Sequence, residues 1–422
     1  MSTRLVYADA RGQIYDHPYL EMVGRSGQRF CRVPEAELIP LPPGSDLFVL
    51  PGRRAVGYDP RRRRLVTAGE SRDLPAEAQA VAAFMAPAHT MSYLAAGVPR
   101  PQAPVLPLFA YTAVGWRSGQ FWVAGWRSDP DVRQDLPLMD CQAMASRVQA
   151  RLQAAPTNRL LRHLSHCALT YGCPAARNLF LERFEAPLPT SPVCNARCLG
   201  CLSEQRQRQF PAPMQRLTFV PNPEEIAEVA VPHLQQVPQA VASFGQGCEG
   251  EPLLQGPTLV AAVRLIRRQV SRGTLNVNTN ASKPEVIAAL VDAGLDSLRV
   301  SLNSARPEYY AAYFRPRGYG FPDVVASIKT AKAAGAKVAL NYFIFPGFSD
   351  LPAEINALCA LIEATGVDLV QLRNLNIDPD YYIKNLKIAP GPRPLGIRRL
   401  VARLQQTFPH LRFGYFNPPW KG

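Results

Sequence analysis

The sequence predicts a two-part α/β protein: a β-rich N-terminal module, then, from about residue 180, a parallel sheet covered by helices. Two patterns carry this. Beyond residue 180, apolar runs of strand length alternate with longer runs of helical period, an order that calls for helical crossovers between parallel strands. Before it, short runs are cut by Gly and Pro at intervals that suit strands and turns. At 422 residues the chain is also too long for one average domain.

In order along the chain, LVYADARGQIYDH reads as a hairpin around Arg11-Gly12, with further turns at Pro42-Pro43-Gly44 and Pro51-Gly52. The alanine-rich stretch 76–97 predicts a helix. AYTAVGWRSGQFWVAGW predicts two aromatic strands joined at Arg117-Ser118-Gly119, and 141–167 is again helical. The prolines from Pro187 to Pro192 mark a boundary, because closely spaced prolines resist helix and central strand alike. Strands are then expected at 240–244, 274–278, 296–302, 337–344 and 367–372, and helices near 222–235, 257–270, 283–293, 322–335 and 351–364. A first strand just before Cys194 brings the number to six, enough for a partial barrel or a doubly wound sheet. In both, ligands gather at the carboxyl ends of the strands.

Apolar residues at 47% and charged residues at 19% are sufficient for a sizeable core. No run approaches the ~20 apolar residues that span a bilayer, and MSTRLVYADARGQ lacks a secretory apolar core. A cytoplasmic chain without membrane partners is expected. Its nine cysteines are then reduced, and a tight group of them points to metal or redox chemistry. A net charge of +14 suits phosphate-bearing partners such as RNA or a nucleotide, or an arginine-rich solvated surface. The run Arg61 to Arg64, with Arg53 and Arg54 nearby, is expected on an exposed turn, with an RNA or acidic-peptide contact as the alternative. Trp116, Phe121, Trp122 and Trp126 suit strand packing, or base stacking in a basic groove.

The chemistry is concentrated in Cys194-Asn-Ala-Arg-Cys198-Leu-Gly-Cys201, a CxxxCxxC spacing. Three thiolates so close together can hold three irons of a cubane and leave the fourth open, whereas closed structural sites use four ligands. Zinc or structural thiols are the alternatives; zinc would need a second arm, and a lone Cys248 would have to serve as its fourth ligand.

Together these residues resemble the radical S-adenosylmethionine superfamily, marked by CxxxCxxC after the first strand of a partial (β/α)6 TIM-like barrel. Ser243-Phe-Gly-Gln-Gly-Cys-Glu249-Gly250-Glu251-Pro252 is similar to its GGEP motif. Asn278-Thr279-Asn280 resembles its third-strand turn, and Leu298 to Asn303 its ribose- and carboxylate-binding strand. The resemblance implies iron ligation by Cys194, Cys198 and Cys201, and cofactor binding by Glu249, Gly250, Glu251, Pro252, Asn278, Asn280, Ser301 and Asn303. It further implies a 4Fe-4S cluster, S-adenosylmethionine, reductive cleavage to a 5′-deoxyadenosyl radical, and an electron donor such as flavodoxin or ferredoxin. Gly200 departs from the family, which places a large apolar residue there, and Cys248-Glu249 stands where a glycine is usual.

On this reading the chain divides into an N-terminal α+β module, 1–180, suited to substrate recognition, the barrel, 181–390, and a C-terminal helix and tail, 391–422, completing it. Gln371, Arg373 and the run Asp378 to Tyr382 lie where substrate should enter. Cys167 and Cys173 are expected as buried thiols, or as ligands of an auxiliary cluster with Cys31, Cys141 or Cys248. Tyr309, Tyr310 and Tyr313 suit core packing, or a cap on the cofactor mouth. The leading functional expectation is modification of a macromolecule, RNA ahead of protein or peptide. A small metabolite is the alternative, and a non-catalytic electron-transfer or metal-binding protein the reading from another class.

Overall fold

In the computed structural model, which describes residues 2–70, 72–132, 135–205 and 209–421, the first 127 residues supply twelve strands of one sheet. These are β1 Arg4–Ala8, β2 Ile14–Ser26, β3 Arg29–Arg32, β4 Leu38–Pro40, β5 Asp46–Asp59, β6 Arg64–Thr67, β7 Gln79–Phe84, β8 His89–Met91, β9 Leu94–Ala95, β10 Gly97–Pro99, β11 Val114–Arg117 and β12 Gln120–Arg127. The two hairpins read from the sequence form: β1 pairs β2 around Gly12, and β11 pairs β12 through Ser118-Gly119. The second is a two-residue turn, and both its residues have the positive φ such a turn requires.

The helix expected over 76–97 is absent, and β7 to β10 occupy that stretch. Here tertiary pairing overrides alanine's helix propensity. Ala78, Ala80, Ala82 and Ala83 are fully buried, and an ideal Cβ on Gly97 would lie 3.0 Å from that of Ala80. Small side chains are what this crowded sheet accepts.

Three helices follow, α1 Met144–Ala154, α2 Arg159–Leu169 and α3 Pro174–Phe180. The parallel sheet then runs β13 Glu185–Leu188, β14 Val241–Phe244, β15 Thr274–Thr279, β16 Ser297–Leu302, β17 Lys337–Ile344, β18 Leu369–Asn374 and β19 Arg412–Gly414. Each strand pairs with its sequence neighbour, so the order has no switch point. Pro187 lies inside β13, not at a boundary; β13 is the edge strand, where a missing amide is tolerated. Six strands were expected and seven are present, β19 being too short to show a period.

The crossovers carry α4 Pro223–Gln236, α5 Gly256–Gln269, α6 Pro284–Ala293, α7 Pro307–Phe314, α8 Phe321–Ala333, α9 Pro352–Thr365, α10 Pro379–Leu386 and α11 Ile397–Thr407. Many open on the signals the sequence offers. In α4 the Asn222 side chain accepts from the Glu225 amide while Glu225 returns the bond, and Pro223 follows at the first helical position.

Alternate residues of the strands divide by chemistry, as a period of two requires. Leu275, Val277, Leu298, Val300, Val338, Leu340, Val370 and Leu372 are buried apolar. The opposite set is polar and joined by hydrogen bonds: Asn276 to Ser243, Asn278 and Ser297, and Arg299 to Gln371. This polar face receives the segment after β19. Asn417 bonds to Glu185, Ser243, Asn278 and Gln371.

The two parts share one continuous apolar core. They also meet at the carboxyl ends of β17 and β18. The Met91 amide donates to Asn374 Oδ1 and Asn374 Nδ2 returns to His89 O. The Gly27 amide donates to Pro346 O at 2.8 Å, and a Cβ on Gly347 would lie 1.8 Å from Gly27 N. Among the described residues no helix is long and apolar enough to cross a membrane.

Candidate cluster and cofactor site

The cysteine loop leaves the carboxyl end of β13, and three neighbours hold it by backbone geometry. Glu249, buried in the loop after β14, accepts from the amides of Thr190 and Ser191 through Oε2 and of Gln246 through Oε1. The Gly250 and Glu251 amides donate to Ser191 O and Val193 O at 2.7 and 2.8 Å. That approach is closed to a side chain: a Cβ on Gly250 would lie 2.0 Å from Val193 O. From the turn after β15, Asn280 Nδ2 donates to Asn195 Oδ1, and Asn195 Nδ2 to Ser282 Oγ. The carbonyls of Tyr313 and Phe314, at the end of α7, accept from Leu199 and Arg197.

Cys194, Cys198 and Cys201 are brought together, each half-buried. Burial, then the neighbouring Cys201 and Cys194, pushes the Cys198 thiol well above its usual range. Cys194 is pushed up to about 11, by burial and then by the Glu251 carboxylate. Arg216 Nη2 donates to Cys201 Sγ at 3.4 Å, placing one cation against the group. Adjoining thiols, of which Cys194 and Cys198 resist ionisation without added positive charge, form a donor set suited to a cationic metal centre. Among the described residues, one group of three or more Cys, His and acidic side chains has all its ligand atoms within 4.8 Å, and it is not this triplet. The wider spread suits a multinuclear centre, so the residues fit the cluster.

The remaining expected cofactor residues lie on the same side of the sheet. Glu251 accepts from Thr279 Oγ1 and from the amides of Asn280 and Leu253. Burial, against these bonds, pushes both Glu249 and Glu251 up to about 7. Both carboxylates are therefore occupied in holding loops. Pro252 opens the short turn after Glu251. Asn278 donates to Gly245 O and accepts from Asn276 and Asn417. Ser301 is half-buried in β16. Asn303, fully buried just beyond β16, donates to Tyr309 O and Tyr382 Oη, while its Oδ1 has no hydrogen-bond partner; Asn341 Oδ1 is in the same condition.

The substrate-side candidates are held by the C-terminal segment. Gln371 Nε2 donates to Phe416 O and Asn417 Oδ1, and Arg373 donates to Tyr415 O and lies 4.1 Å over its ring. The run Asp378 to Tyr382 is structural. Asp378, buried, caps α10 and pairs with buried Arg53 at 2.6 Å; Asp380 pairs with Arg25, and Tyr382 is core. Arg53 is thus not exposed, against expectation. Arg61 to Arg64 are exposed, as expected; Arg62 pairs with Asp59 and Asp73 and Arg61 lies over Tyr19, while nearby Arg54 pairs with Glu70. Trp116, Phe121 and Trp126 pack on the core, and Arg117 covers Trp122 at 3.5 Å.

Two residues of the site, Arg299 and Arg216, went unread in the sequence, and a third, Tyr313, was expected in core packing or as a cap on the cofactor mouth. Arg299 offered a signal, a charge mid-strand; it is pushed down to about 10 by burial and by Arg373. Arg216 offered none. Tyr313 explains Gly200: a Cβ there would lie 2.8 Å from the Tyr313 hydroxyl, so the tyrosine ring fills the place beside the third cysteine.

Comparison with known proteins agrees with this architecture. Residues 188–358 match the family described as Radical SAM superfamily. The matched segment is a radical S-adenosylmethionine domain, and the cofactors of that family are a 4Fe-4S cluster and S-adenosylmethionine. A GTP 3′,8-cyclase of Streptomyces coelicolor is 29% identical over 163 residues, 37% of this chain and 43% of the relative. The FeMo cofactor biosynthesis protein NifB of Klebsiella pneumoniae is 26% identical over 180 residues, covering 39% of this chain and 37% of that one. The chain spans about half the length of the curated relatives it matches. A radical SAM methyltransferase from Sphaerobacter thermophilus superposes with TM-score 0.38 at 17% identity, over 54% of this chain and 66% of that one, too low a score to carry an argument.

Proposed function

We propose that this chain is a radical S-adenosylmethionine enzyme with a partial (β/α)6 barrel, acting on a small anionic molecule. The observation that carries the first part is the locked cysteine loop, with three half-buried thiols meeting beside Glu251 and Arg216. When bound, the cofactors supply one-electron cleavage of a carbon–sulfur bond and hydrogen abstraction from substrate. In this reading Cys194, Cys198 and Cys201 hold the iron, and an external one-electron donor such as flavodoxin or ferredoxin serves it. Glu249, Gly250, Glu251 and Pro252 shape the loop that seats the methionine end. Asn278, Asn280, Ser301 and Asn303 line the seat, and the unpartnered Asn303 Oδ1 is its open acceptor.

The substrate reading rests on Arg299. Half-buried on the polar face beside Arg373, with the Glu185 carboxylate near enough to act on it, it has no ion pair in contact among the described residues, and its Nε has no hydrogen-bond partner. Two neighbouring guanidinium groups with no carboxylate in direct contact favour an anionic ligand. Relatives named for GTP chemistry agree with a small anionic substrate. A macromolecular substrate, RNA in particular, draws on the net charge and on the exposed run Arg61 to Arg64, which does not face the polar side of the parallel sheet.

Anaerobic reconstitution with iron and sulfide, followed by assay of 5′-deoxyadenosine, tests the enzyme reading. Wild-type protein should release it on reduction and Cys198→Ala should not; equal release from both would overturn the assignment. For substrate class, binding of RNA would weaken steeply between low and moderate salt, whereas a small anion held by the half-buried Arg299 and Arg373 would respond weakly.

A further inference from the structure

A second sulfur-rich site lies apart from the cysteine loop, where α2 of the N-terminal module meets the loop after β14. His163 and Cys167 are four residues apart on α2 and so share one face of the helix. His163 Nε2 lies 3.6 Å from Cys167 Sγ. Cys248 arrives from the loop after β14, and the ligand atoms of all three residues lie within 4.8 Å of one another. Cys167 and Cys248 are buried at 2% and 6% exposure. Cys173 caps α3, and its amide donates to Cys167 O at 3.0 Å, which turns the chain back behind α2 and holds Cys167 in place. His166 is engaged elsewhere, on Thr170 and edge-on to Tyr171, so His163 is the imidazole available.

We propose that His163, Cys167 and Cys248 form a mononuclear zinc site that staples the N-terminal module to the cofactor loop. The spacing argues for a single ion. Thiolates ~2.3 Å and an imidazole ~2.0 Å from a tetrahedral centre stand roughly 3.5–3.8 Å apart, in agreement with the observed 3.6 Å. Two thiolates and one imidazole are ordinary zinc ligands, and they supply three corners of a tetrahedron whose fourth is left to a water molecule. The site also has a structural task. Cys248 directly precedes Glu249, whose carboxylate anchors Thr190, Ser191 and Gln246, so an ion here fixes the frame of the cysteine loop from behind.

The test uses the full chain with Cys194, Cys198 and Cys201 all changed to Ala, purified anaerobically, so that the main cluster cannot contribute metal. Elemental analysis should find one zinc per chain, and Co2+ in its place should give an intense thiolate-to-cobalt band with tetrahedral visible transitions. Adding Cys248→Ser should abolish zinc retention, while adding Cys359→Ser, on α9, should leave it unchanged. Should the Cys248→Ser protein fail to fold, Co2+ titration of the triple variant still decides. Zinc far below one per chain with no cobalt spectrum would overturn the proposal. So would iron and sulfide retained by the triple variant, or a Cys167–Cys248 disulfide in its peptide map.

Discussion

At the scale of single residues, two positions turn geometry into measurable energy. His233, buried on α4 with Nε2 against Phe184 O, is pushed down to about 4 by burial, and Arg151 adds to the effect. It stays neutral in the folded chain while the unfolded chain takes up a proton below its ordinary value of ~6.5. Its contribution is therefore complete above pH 6.5 and is lost as pH falls toward 4, on the order of 2–3 kcal/mol. Thermal unfolding should show a fall in Tm between pH 7 and pH 5 that His233→Gln largely removes; an unchanged slope in the variant would refute the assignment. Gly250 is the second position. Because its Cβ would overlap Val193 O, Gly250→Ala must push apart the cofactor loop and the cysteine loop. Displacement on the ångström scale at a reacting centre costs about a hundredfold in rate. The variant should lose iron on reconstitution and cleave cofactor about a hundredfold more slowly; near-normal activity would mean the loop tolerates the shift.

At the scale of elements, what the sequence revealed and what it hid follow from the range of the forces involved. The alternation from α4 to α9 was legible because each element carries its own period and its own caps, such as Pro223 after Asn222. The cysteine loop was legible because ligand spacing is itself local chemistry. Strands β7 to β10 were not, since alanine is chosen there for what packs across the sheet and not for its neighbours in the chain. Tyr313 and Gly200 were likewise unreadable as a pair, being brought together by a crossover. Their contact predicts that Gly200→Ala displaces the Tyr313 ring. Reconstituted Gly200→Ala should keep its iron, because the ligands are unchanged, but bind S-adenosylmethionine about tenfold more weakly through the disturbed packing. Equilibrium binding with the cluster in place checks this, and unaltered affinity would dissociate Tyr313 from the cofactor seat.

For the whole molecule, the ion pair of Arg53 and Asp378 joins the N-terminal sheet to the helix after β18 with both groups buried, at 5% and 1% side-chain exposure. Removing one member of such a pair leaves a charge without a counterion, a loss of about 3–5 kcal/mol. Arg53→Ala should therefore lower denaturation midpoints markedly, and Arg53→Ala with Asp378→Asn should recover part of the loss. If the single variant were as stable as wild type, the pair would not be what joins these parts. Neither residue signals this role in the sequence: Arg53 sits in a run of arginines and Asp378 in a polar stretch beyond the last long strand. With one continuous core, the N-terminal module is built as part of the catalytic body.

The back-to-back approach of Gly27 and Gly347 has a consequence for how such a chain can vary. Two loops of unrelated sequence meet there with no room for even one methyl group, so the positions are tied to each other. Transplanting this β-rich module onto a different barrel would succeed only if the recipient's backbone left the same clearance at the matching corner, and drift at either glycine is barred by the facing backbone whichever residue stands there.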